Sequence, residues 1–373
     1  MLQAEKAKTL TPEFSKVFAE IEGLCLSYPL LILNKKRVVQ KLLGFLGTEH
    51  LKAAHIGVLD LCIALVKDLR QDVYEEFLHE MLPRVIEAID GSNLPLMDKV
   101  FQLLSFSFKY LIKPIKANIE SVYSVYFELL QHRNRFIRKF TAQSFSYVLR
   151  KLTFDQATIS MLVSPLQEES VANMEDRVNG LSELFFEVVS GQGEDLHSKG
   201  RSVLSELLMS PSIAASDGCR QVVRVLYLKL VNGIDVLKQV PIFEELTEKL
   251  CKANDGRLLE LMFRVLNESV KLKYGRRLGQ ASVIHITQAL NNLATKRSEQ
   301  VRELPQEARE KFAETLGLLY YFKHSNVLSI FQKSSIDFKT AKSAFTTGLF
   351  AMSVEPDCSV VYAFYSLLLK KPD

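Results

Sequence analysis

Residues 134–152 read NRFIRKFTAQSFSYVLRKL. On a helical wheel at about 100° per residue with Arg135 at zero, Arg138 falls at about −60°, Lys139 at about +40° and Arg150 at about +60°. Phe136, Ile137, Phe140, Phe145, Val148 and Leu152 occupy an arc from about 100° to about 280°. Basic and apolar faces therefore oppose each other, and Phe140, Val148 and Leu152 are expected between helices in the core. Lys151 falls inside the apolar arc near the helix end, where its long stem carries the ammonium out to water. Guanidinium and ammonium groups so placed make charge-assisted bonds to phosphate or carboxylate. Arg133, Arg135, Arg138, Lys139, Arg150 and Lys151 are thus the candidate contacts to RNA or to an acidic partner. No aromatic lies on the basic arc of this wheel, which favours backbone or protein contact over base stacking.

The surroundings sharpen the charge. From Lys99 to Phe154 there are ten Lys or Arg and only two acids, Glu120 and Glu128. The whole chain carries a net charge of only +4, so the remainder of the sequence is net acidic. A surface of this kind attracts a phosphate backbone or an acidic partner. Two weaker basic stretches follow the same logic: acid-free Ser269–Ser298, with Lys271, Lys273, Arg276, Arg277, Lys296 and Arg297, and Lys35-Lys36-Arg37 with Lys41.

Catalytic chemistry finds no comparable foothold. There is no P-loop, HExxH or GxSxG pattern, and Gly191-x-Gly193 follows a helical stretch instead of a strand, so it is no dinucleotide fingerprint. His50 and His55 are five apart, the wrong spacing for one helical face. The five cysteines, Cys25, Cys62, Cys219, Cys251 and Cys358, are odd in number and scattered, without a CxxC. That argues against a disulfide framework or a zinc site and for a reducing compartment. No enzyme activity, cofactor, metal or small-molecule substrate is expected. No segment reaches the roughly 18 apolar residues of a membrane span.

The elements that must carry the basic face are helices. The 373 residues are 47% hydrophobic and 24% charged, with only 16 Gly and 11 Pro. So few chain breakers disfavour a sandwich or barrel of many short strands. Apolar residues recur at helical spacing, as in Phe101, Leu104, Phe108 and Leu111, a set expected in the core. The pattern predicts eighteen helices: 13–27, 36–47, 50–69, 72–89, 96–112, 118–131, 134–152, 155–169, 174–190, 195–210, 214–231, 236–253, 257–273, 277–296, 302–322, 325–337, 339–352 and 357–370. Nine pairs of about 41 residues fall within the HEAT and armadillo range. Such pairs bury their apolar faces only by stacking, so the expected fold is an all-α solenoid, a single array over 1–373. The last helix, SVVYAFYSLLLKK, is as apolar as an interior one, so the array is expected to continue in a longer protein.

Two stretches carry a family likeness: GVLDLCIALVKDLRQDVYEEF (57–77) and FQLLSFSFKYLIKPIKANIESVYSVYFELLQHRNRFIRKFTAQSFSYVLRKL (101–152). They resemble the N-terminal part of the small-subunit-processome component 20 family, also called down-regulated in metastasis. LSELFFEVVSG (181–191) continues the likeness more thinly. The resemblance implies a very long HEAT-repeat protein of the nucleolus. It implies a non-enzymatic scaffold in the particle built around a box C/D small nucleolar RNA, supporting cleavage of precursor ribosomal RNA and assembly of the 40S subunit. Implied partners are pre-ribosomal proteins, with precursor rRNA and small nucleolar RNA as the nucleic-acid candidates. The competing reading is a generic HEAT adaptor of the transport-receptor or phosphatase-scaffold kind, for which an acidic inner surface would speak.

Overall fold

A computed structural model describes residues 12–48, 53–89, 93–167, 173–190, 198–234, 239–272, 280–296, 299 and 303–321. The expected helices at 325–337, 339–352 and 357–370 lie outside these residues. Among the described residues the chain is all-α, with no strand. Contacts group it into two compact units, one formed by 1–153 with 175–184, the other by 154–174 with 185–373.

The first unit contains α1 (Pro12–Glu22), α2 (Tyr28–Leu46) and α3 (His55–Leu69). A helical stretch of changing pitch follows: a 3-10 turn Arg70–Val73, α4 (Tyr74–Glu76), a π-helical Phe77–Met81 and α5 (Leu82–Glu87). Then come α6 (Leu94–Tyr110), α7 (Ile112–Ala117), α8 (Ile119–Leu130) and α9 (Arg135–Leu149). The helices form two layers. α1, α3, α6 and α9 pack side by side in one; α2, the 77–87 stretch and α8 form the other. Residues 175–184 of α11 (Met174–Ser190) belong to the same unit, with Gly180 set directly against the Leu130 carbonyl.

The second unit repeats the scheme. α12 (Ser198–Leu208), α15 (Val240–Lys252) and α17 (Gln280–Lys296) pack in one layer. α14 (Asp217–Gly233), α16 (Gly256–Leu272) and α18 (Gln306–Tyr321) pack in the other. Short α10 (Gln156–Val163) and α13 (Pro211–Ala215) precede them. The expected 41-residue period is visible as a ladder of polar contacts between equivalent helices. In the first unit Lys99 meets Asp60 (2.8 Å, 39 residues apart) and Arg138 meets Asp176 (3.0 Å, 38 apart). In the second, Arg224 meets Glu268 (2.6 Å, 44 apart) and Arg264 meets Glu307 (2.7 Å, 43 apart). Pairing at one repeat's distance is what stacked helix pairs produce.

Local chemistry explains several helix starts. Asn93 and Ser216 cap α6 and α14, their side chains accepting from the Leu96 and Cys219 amides. Helix α2 begins eight residues before the predicted 36. Ser27 is its N-cap and Pro29 sits in the first turn, so a proline that reads as a breaker opens a helix here. The short helices α7 and α13 lie where no separate element is expected; Pro114 and Pro211 sit within them.

The first unit's core holds an aromatic cluster among its aliphatic residues. Phe145 is fully buried, with ring centroids 4.9 Å from Tyr126, 5.7 Å from Phe108 and 5.9 Å from Tyr123. Phe101, Leu104, Phe108 and Leu111 are all buried, as their spacing predicts. Cys62 is wholly enclosed, and burial pushes its thiol up to about 12, so it is an inert packing residue.

Candidate nucleic-acid interface

Helix α9 packs beside α6 in the first layer of its unit, and its phase differs from the wheel by about a quarter turn. Ile137, Phe145, Val148 and Leu149 are fully buried, together with Thr141, Ala142 and Ser146. Phe136 is 70% exposed and Phe140 46% exposed, while Leu152 is only half-buried. Of the three residues expected in the core, Val148 is there and Phe140 and Leu152 are not. The physical reason lies in the small polar residues. Thr141 Oγ1 donates to the Ile137 carbonyl (2.7 Å) and Ser146 Oγ to the Gln143 carbonyl (2.8 Å). Their hydroxyls are satisfied within the helix, so burying them costs little and lets neighbours approach closely.

The rotation brings Phe136, Phe140 and Tyr147 out among Arg135, Lys139, Gln143 and Lys151, all of them exposed. The expectation that no aromatic shares the basic face is therefore corrected: three do. Phe140 stacks one face on Phe101 of α6 (5.0 Å, 24° between planes) and leaves the rest of its ring to solvent. Lys151 Nζ lies 5.6 Å from the Tyr147 ring centroid. On α6 and α3 of the same layer, Lys67 Nζ sits 3.8 Å above the half-exposed Phe106 ring, and Lys109 lies 5.6 Å from Tyr110. Such contacts hold a cation against a ring face without neutralising it.

The six sequence candidates divide by environment. Arg133, Arg135, Lys139 and Lys151 are exposed, and no described carboxylate pairs with them. Arg138 is held inside the fold. Its Nη1 donates to the carbonyls of His132 (2.7 Å) and Arg133 (3.0 Å) and to Asp176 Oδ1 (3.0 Å), with 14% of the side chain exposed. It ties the loop entering α9 to residues 175–184. Burial, followed by the Arg138 charge, pulls the His132 imidazole below its ordinary range, and its Nδ1 accepts from the Asn134 amide. Arg150 is half-buried, with Nη2 donating to Ser146 Oγ (2.7 Å). Arg138→Ala is expected to cost about 1–3 kcal/mol, because it strands two helix-entry carbonyls and a half-buried carboxylate. Arg135→Ala is expected to stay within about 0.5 kcal/mol. Thermal denaturation of the two variants side by side checks this.

The other basic stretches contribute less. Lys35 pairs with Glu76 (3.2 Å) and Lys41 with Glu20 (3.0 Å), so that cluster is partly neutralised. In the Ser269–Ser298 stretch Lys273, Arg276, Arg277 and Arg297 lie outside the described residues. A cleft of about 550 Å³ in the second unit gathers Arg220, Arg224, Arg257 and Arg264. Three of these face carboxylates: Asp217, Glu268, and the pair Glu260 and Glu307. Sequence reasoning passed over this cleft because the residues come from separate repeats. Among the described residues no group of His, Cys, Asp or Glu is placed to hold a metal ion, and no helix is long and apolar enough to cross a membrane.

No protein-family model matches the chain. Over 287 residues it is 23% identical to U3 small nucleolar RNA-associated protein 20 of Saccharomyces cerevisiae, an alignment covering 73% of this chain. The chain spans about 11% of that relative's length. An engineered protein of known structure covers 88% of the chain and 98% of its own at 13% identity, with a TM-score of 0.25, a likeness too low to argue from.

Proposed function

We propose that this chain is a non-enzymatic helical-repeat scaffold of the small-subunit processome, supporting precursor rRNA processing and 40S subunit biogenesis in the nucleolus. The observation that carries the reading is the similarity to U3 small nucleolar RNA-associated protein 20 across 73% of the chain. The basic face of α9 lies within the stretch whose residues resemble that family, and it supports the same reading from chemistry. Exposed cations at 133, 135, 139 and 151 attract phosphate, and the stacked helices hold them on a fixed surface. Partners on this reading are pre-ribosomal proteins and RNA.

The test is sedimentation of the tagged chain in extracts of its own cells. The chain is expected in large particles that ribonuclease disperses. The variant with Arg133, Arg135, Lys139 and Lys151 all changed to Glu is expected in lighter fractions at unchanged helix content. Arg138 is left intact so that the fold is not perturbed. Sedimentation of the wild type as free protein would overturn the proposal, and a generic adaptor role would take its place.

A further inference from the structure

We infer that the outward face of α9 is a stacking platform for unpaired RNA, built from Phe136, Phe140 and Tyr147 with Arg135, Lys139 and Lys151 beside them. The inference deepens the scaffold reading and rests on it for the identity of the nucleic acid as RNA. Among the described residues, the exposed large aromatics are Tyr28 and these three, so three of four stand on one helix. They follow a single ridge: Phe136, Phe140, Gln143, Tyr147, Lys151, at steps of four, three, four and four. Leaving three rings in water is unfavourable by the area they expose, and each keeps a large exposed surface even though Phe101 covers one face of Phe140.

The geometry selects the occupant. Phe136 and Phe140 are about 6 Å apart along the helix axis, and Phe140 and Tyr147 about 10 Å. Stacked bases in a strand are only about 3.4 Å apart. Bases that lie on these rings must therefore be unpaired and splayed, as in loops and single strands. A duplex keeps its base faces inside and would leave the rings idle. Charge supplies the second half of the match. Lys139 lies beside the ridge at the level of Phe136 and Phe140, Arg135 beside Phe136, and Lys151 one turn beyond Tyr147, so a cation stands near each ring to meet the phosphate of the base stacked on it. A basic groove with aromatic platforms is the common design for single-strand binding. An amphipathic acidic helix, the protein alternative, needs a continuous apolar groove. Here each ring is flanked by a cation or by Gln143, so no such groove forms.

The test uses the purified full chain and fluorescence anisotropy. The probes are a labelled 15-nucleotide RNA of mixed sequence, the same strand annealed to its complement, and a labelled oligoglutamate peptide. Single-stranded RNA is expected to bind at least tenfold tighter than duplex. Changing Phe136, Phe140 and Tyr147 together to Leu keeps apolar bulk but removes the rings. It is expected to weaken single-strand binding at least tenfold, with the salt dependence and circular dichroism unchanged. Arg135→Gln with Lys139→Gln is expected to make the salt dependence shallower instead. Equal binding of duplex and single strand, or a leucine variant that binds like the wild type, would overturn the platform. Binding of the peptide in preference to RNA would overturn it in favour of a protein contact. The scaffold reading is judged separately by sedimentation, so a chain that enters particles but fails to bind single strands sinks the platform alone.

Discussion

Phe145→Ala is expected to lower the stability of the chain by about 3–5 kcal/mol, the range for truncating a fully buried Phe. Phe145 has no exposed surface and touches rings from two other helices, Phe108 of α6 and Tyr123 and Tyr126 of α8. Tyr126 is further pinned by a 2.6 Å hydrogen bond between its Oη and Ser144 Oγ, so the pocket has little freedom to collapse onto an alanine. A rigid pocket leaves a residual cavity, which is what moves the cost toward the top of the range. Phe136→Ala, on the same helix but 70% exposed, is expected to change stability by no more than about 0.5 kcal/mol. Urea denaturation of both variants reads the contrast. Equal losses would mean that α9 is not rotated as described, and that the basic–aromatic face is not a face.

Gly180→Ala is expected to destabilise, against the usual sign for a helical glycine. Alanine normally favours a helix interior over glycine by about 1 kcal/mol. At Gly180 an added Cβ would collide with the Leu130 carbonyl oxygen and lie 2.7 Å from its carbon. Both are backbone atoms of α8, which cannot rotate aside, so the two helices must move apart. Overpacking of this kind costs about 1–3 kcal/mol or more, outweighing the propensity gain. The internal control is Gly44→Ala in α2. Nothing stands within 4 Å of a Cβ there, and the propensity gain of about 0.5–1 kcal/mol is expected to appear undiminished. Opposite signs at the two glycines, read from thermal midpoints, are the predicted result. Stabilisation at both would show that residues 175–184 do not pack on α8.

The helical class and the repeat were legible because they rest on spacing. Apolar residues at three- and four-residue intervals, few glycines and prolines, and a period of about 41 residues lead to stacked helix pairs, and contacts at 38 to 44 residues repeat that period. The direction in which a helix faces was not legible. On α9 the apolar arc was placed from the large side chains alone, and Thr141, Ala142 and Ser146 count as neutral on a wheel. Packing reversed their weight, because small residues with internally satisfied hydroxyls are what a close helix contact needs, and Phe136 and Phe140 turned outward. The candidate site was half legible for the same reason. Its cations could be counted from the sequence, whereas Arg138 as an internal clamp needed Asp176, 38 residues away, to be seen beside it. The start of α2 was not legible either: a proline such as Pro29 ends a helix or begins one, and only the cap formed by Ser27 decides which.

We propose that this chain works on RNA within a pre-ribosomal particle. The most direct measurement is purification of the tagged chain from its cells with sequencing of the RNA that accompanies it, alongside the variant carrying Glu at 133, 135, 139 and 151. Enrichment of precursor ribosomal RNA and a box C/D small nucleolar RNA is expected with the wild type, and loss of that enrichment with the variant. Neither RNA above background, from a chain that is folded and helical, would contradict it.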